Sequence, residues 1–105
     1  MSSYDYGWEK LHNAIHCLAG EGGQAERLIN AVSVNLIHIR PAQDLPPQIR
    51  DAFIAFMKRL TSVQPSGHEG TIVATVGTLK STELRQAIGE IISFYDAVCR
   101  HMEHD

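Results

Sequence analysis

The sequence predicts an all-α fold, a compact bundle of four main helices and one short helix with up-down connectivity. The first observation behind this is the stretch 81–102. There Leu84, Ala87, Ile88, Ile91, Ile92, Tyr95, Val98, Cys99 and Met102 recur at steps of three and four, which gathers them on one side of a helix. The second is that earlier stretches repeat this spacing, separated by glycine and proline clusters that punctuate helices. The third is size: 105 residues, 44% of them hydrophobic, suffice for one domain around one core.

The first helix is expected over residues 5–19, with Trp8, Leu11, Ile15 and Leu18 as a narrow apolar stripe. Gly20, Gly22 and Gly23 end it and favour a tight reversal into an antiparallel neighbour. The second helix is expected over residues 24–39, facing inward through Ala25, Leu28, Ile29, Val32, Leu36 and Ile39. Val32 to Leu36 also alternates like a half-buried strand, but the strong helix formers before it carry the helical face through without a break. Pro41 stops this helix by forcing Arg40 out of the helical region.

Residues 42–46 read as a connector, with Pro46 holding Leu45 extended. Pro47 suits a first helical position, where its missing N–H costs nothing. The third helix then runs to residue 62 with a stripe of Ile49, Ala52, Phe53, Phe56, Met57, Leu60 and Val63. A loop at 64–70 follows. Residues 71–79 are rich in β-branched side chains, yet a lone strand has nothing to pair with, so they read as a short helix. The final helix opens at Ser81 as N-cap, with Glu83 in its first turn and Gly89 at a place where another helix can approach.

Charge narrows the function classes. Nine basic residues are scattered among twelve acidic ones for a net charge of -3, so nucleic-acid binding is not expected. Two cysteines do not make a disulfide framework. The N-terminal residues show no basic-then-apolar secretory signal. No run approaches the roughly 20 apolar residues a membrane helix needs, so a cytoplasmic protein without membrane contact is expected.

Ile15-His16-Cys17-Leu18-Ala19-Gly20 resembles the His-x-Leu-Lys-Gly core of histidine phosphotransfer domains. These are helical bundles of about this size in which an exposed histidine carries phosphate between signalling proteins. The resemblance covers these six residues and implies a phosphorylated His16. Ala19 stands where the motif has lysine, removing the cation that would offset the phosphoryl charge.

Other candidate chemistry is thinner. His12 and His16 are four apart on one helix face, but a structural zinc takes four ligands and the pair supplies two. Cys99, His101 and His104 near the C-terminus are a similarly partial set. No metal centre, cofactor or catalytic residue is expected. Ser66, His68 and Glu69 share a loop but have no spacing that assembles a catalytic triad.

The strongest functional signal is surplus hydrophobicity. Val34 and Ile54 fall opposite the inner stripes of their helices, and Ile37 and Phe94 fall well to one side of theirs. A helix that is apolar beyond one stripe is buried against more than one neighbour or against another chain. The expectation is a non-enzymatic interaction or regulatory module, a homodimer joined through Val34, Ile37, Ile54 and Phe94. A phosphotransfer protein using His16 is the alternative.

Overall fold

The computed structural model describes residues 4–102, and among them every regular element is helical. In chain order these are α1 (Asp5–Leu18), α2 (Gln24–Asn30), a π-helical turn (Ala31–Asn35), a 3-10 turn (Leu36–His38), α3 (Pro41–Asp44), α4 (Pro47–Leu60), α5 (Gly70–Val76) and α6 (Ser81–Arg100).

Helix α1 turns Leu11, Ala14 and Leu18 fully inward, while Trp8 and Ile15 pack on the core from its edge. Gly7 is also buried. A Cβ there would overlap the Asp44 carbonyl oxygen and lie 3.1 Å from the carbonyl carbon, so the backbones of α1 and α3 meet where only glycine fits. The helix stops at the expected glycines. Gly22 takes φ of 96°, and Arg27 reaches back to donate to the Leu18 carbonyl at 2.8 Å, satisfying one of the terminal acceptors of α1.

The second helix is not the continuous α-helix expected over 24–39. It widens into a π turn at Ala31 and tightens into a 3-10 turn at Leu36. Ser33 donates its hydroxyl to the Ile29 carbonyl at 2.7 Å, a back-bond of the kind that bends helices. Asn35 is buried and donates to the Cys17 sulfur at 3.4 Å, which ties the widened turn to α1. Leu28, Val32, Leu36 and Ile39 nevertheless face the core as expected.

The connector after it also differs. Residues 41–44 form the one-turn helix α3, because the Asp44 carboxylate folds back and accepts from the Arg40 backbone N–H at 2.7 Å. Helix α4 begins at Pro47 as the sequence implies, and Arg50 secures its start by donating to the Leu45 carbonyl at 2.8 Å.

The short segment is helical, as expected. Thr75 is buried in α5. Its hydroxyl donates to the Thr71 carbonyl at 2.6 Å and accepts from the Val63 N–H at 3.0 Å, joining α5 to the chain leaving α4.

Helix α6 packs against α1, α2 and α4. Its N-cap is Lys80, not Ser81, which is the first helical residue. Lysine has no side-chain acceptor, so only the reciprocal half of a capping box forms, with the Lys80 N–H donating to Glu83 at 2.9 Å. Ile91 and Val98 are fully buried, whereas Ile92, expected on the inner stripe, is exposed. Gly89 meets no atom within 4 Å of a built Cβ, so it serves no close helix approach among the described residues. Phe94 corrects the sequence reading most. It is buried edge-on between Phe53 and Phe56 of α4, with ring centroids 5.5 and 5.6 Å away, a favoured aromatic geometry.

Candidate functional site

Two surface features bring chemically distinctive side chains together. The first is an apolar groove of about 210 Å³ between the 3-10 turn and α4. Leu36, Ile37, Ile39 and Pro41 form one wall, and Phe53, Ile54 and Met57 form the other. Ile37 and Ile54 are 53% and 52% exposed at this groove, although α4 turns its Phe53 and Phe56 side inward. Two of the four residues expected at an interface therefore share one site. Val34 is more exposed still, at 57%, but it does not line the groove. Phe94 lies in the core and has no place on this surface.

The exposed face of α4 beside the groove carries Asp51, Ile54, Ala55 and Lys58. Positions i, i+4 and i+7 lie along one helical stripe, so Asp51, Ala55 and Lys58 run in a row with Ile54 alongside. An acidic residue stands at one end, a basic residue at the other, and small or apolar side chains lie between.

The second feature is an aromatic and imidazole cluster between α1 and α6. Trp8 stacks on His12 with centroids 4.6 Å apart and planes 15° from parallel. His12 Nδ1 is 3.2 Å from the Tyr95 hydroxyl, and its Nε2 is 3.2 Å from Nε2 of His16. Burial raises the pKa of Tyr95 above its ordinary value, and the nearby Cys99 thiol adds to that shift. His12 is half-buried and His16 exposed, so the cluster opens to solvent at one end. The spacing of His12 and His16 is visible in the sequence, but nothing there links them to Tyr95, which is 83 residues from His12.

His16 is exposed, as the phosphotransfer resemblance implies, but its Nε2 faces a second imidazole and not a cation. His101 donates its Nδ1–H to the Ala97 carbonyl at 2.8 Å, within its own helix end. His104 lies outside the described residues. In the 64–70 loop, Ser66 offers its N–H and hydroxyl to Glu69 at 3.3 and 3.4 Å. The Glu69 pKa is lowered chiefly by its own backbone N–H. These are bonds that shape an exposed turn. A smaller cleft of about 120 Å³ between α4, α5 and α6 is bordered by the Arg59–Glu90 ion pair. No helix among the described residues is long and apolar enough to cross a membrane.

Compared with protein-family models, curated proteins and solved structures, the chain matches none.

Proposed function

We propose that this protein is a small non-enzymatic interaction module that works as a homodimer, joined through the groove and the adjoining face of α4. The observation that carries the reading is the pairing of Ile37 and Ile54, exposed on separate elements at the rim of one apolar groove. Single exposed apolar residues are ordinary on protein surfaces, but a contiguous apolar patch marks an interaction site.

A second copy is the occupant that fits the charges. In an antiparallel pairing of two α4 helices about a two-fold axis between residues 54 and 55, Asp51 of each copy faces Lys58 of the other. Ile54 of each copy meets Ala55 of the other beside the axis, and the small alanine lets the helices approach. Such self-complementarity is what a two-fold interface requires. Phosphoryl transfer through His16 gains no comparable support, because no cation stands in the place of the motif's lysine.

Sedimentation equilibrium tests the reading. The wild type should be a dimer and Ile54→Asp a folded monomer. Asp51→Lys should weaken the dimer by setting like charges opposite each other, and Asp51→Lys with Lys58→Asp should restore it. A monomeric wild type, or an Ile54→Asp variant that remains fully dimeric, overturns the proposal.

A further inference from the structure

We propose that His12 and His16 form a chelating site for a divalent transition cation of the zinc and copper class. The site lies on α1 facing α6, on elements that do not line the groove, and it does not depend on the dimer.

The distance between the two donors is the first argument. Their Nε2 atoms are 3.2 Å apart. A cation at the usual zinc–imidazole length of roughly 2.0–2.1 Å from both would subtend about 100–105° between them, close to a tetrahedral angle. Without a cation one ring must present N–H to the other's lone pair. With one, a modest turn of the rings aims both lone pairs at a point about 1.3 Å off the line joining them, given those bond lengths.

The second argument is what surrounds His12. A ligating imidazole usually donates its other ring N–H to an oxygen, which fixes tautomer and orientation. The Tyr95 hydroxyl is placed for this, 3.2 Å from His12 Nδ1. Its oxygen has lone pairs free to accept that N–H. Trp8 stacked on the imidazole holds the ring plane from one side. His12 is thus pre-positioned by two residues, while exposed His16 supplies the second nitrogen. No group of three or more histidine, cysteine or carboxylate ligands gathers among the described residues. The remaining coordination positions therefore go to water, and the site is open and exchangeable. Imidazole suits both zinc and copper, and among divalent first-row ions copper binds a given site most tightly.

The stacked indole supplies the assay, because Trp8 is the only tryptophan in the chain. Copper(II) held by His12 and His16 is close enough to quench its fluorescence. The full-length, untagged protein is titrated with copper(II) chloride near neutral pH, and then competed with zinc chloride. Quenching should saturate at one equivalent and be reversed by zinc only in large excess, as the tighter binding of copper requires. His16→Gln, an exposed substitution that leaves Trp8 and His12 in place, should weaken copper binding at least tenfold. Tyr95→Phe should weaken it about tenfold, the usual scale for losing an outer-shell partner. A His101→Gln, His104→Gln double variant should quench like the wild type. The proposal is overturned if copper does not quench Trp8, if His16→Gln quenches at the same concentrations as the wild type, or if only the C-terminal double variant loses quenching.

Discussion

Replacing Gly7 and Gly89 with alanine, one at a time, makes the same chemical change in two helices of one protein and should have opposite effects. In a helix interior alanine is preferred over glycine by about 1 kcal/mol. At Gly89 a new methyl meets nothing within 4 Å, so that preference should stand and Gly89→Ala should stabilise by up to about 1 kcal/mol. At Gly7 the methyl would overlap the Asp44 carbonyl oxygen and lie 3.1 Å from its carbon, inside the roughly 3.5 Å at which carbon atoms attract. Both sides of that contact are backbone, so no side chain can swing away. The α1–α3 contact must open instead. Overpacking of this kind costs about 1–3 kcal/mol, and with unyielding neighbours the upper part of that range applies. After subtracting the helix preference, a net loss of about 2 kcal/mol remains for Gly7→Ala. Urea denaturation should show the midpoints moving in opposite directions at unchanged slope, and thermal melts should separate the variants by about 10 °C or more. The reasoning is refuted if Gly7→Ala is as stable as Gly89→Ala, because the close approach of α1 to α3 would then not exist.

Two further outcomes follow from polar groups in the fold. Thr75→Val keeps the side-chain shape but leaves the Val63 N–H without the acceptor it has at 3.0 Å, so it should cost about 1–3 kcal/mol in a denaturation experiment. Thr75→Ser should recover much of that loss. For Tyr95, the raised folded-state pKa fixes the sign of a pH effect. Below the unfolded value of about 10 the phenol is protonated in both states and its contribution is intact. As pH rises beyond that value and through the folded one, the unfolded chain releases its proton first and stability falls. Tyr95→Phe should flatten this alkaline loss, and the phenolate absorbance of the folded wild type should show a step above pH 10 that the variant lacks.

The faces of the helices were legible in the sequence, but their local geometry was not. Leu28, Val32, Leu36 and Ile39 match a regular helical period, yet a π turn carries Val32 and a 3-10 turn carries Leu36. The first is wider than an α-helix and the second tighter. The two deviations offset each other, so the buried face returns to phase and the pattern conceals both.

Phe94 was misread for a different reason. A single-stripe reading assumes one packed side, whereas α6 is enclosed by α1 and α2 as well as by the aromatic rings of α4. Ile37 and Ile54 could be recognised as off-stripe. That they share one groove depends on how the 3-10 turn crosses α4, which no local pattern encodes. The same holds for His12 and Tyr95, and for Gly7, whose neighbour Asp44 comes from a turn that the sequence marked only as a connector.

The packing of α1 against α6 also bears on how the chain reaches this state. During synthesis α1 leaves the ribosome well before α6, which brings the Ile91 and Val98 side chains that complete the core. Loop closure over that separation must be paid before these contacts return any stability. The preceding helices should therefore wait with Leu11, Leu28 and Phe56, members of the same core, incompletely covered until α6 can dock. A nascent chain ending before residue 91 should remain sensitive to protease along its whole length, so the last helix sets the moment at which the others become a protein.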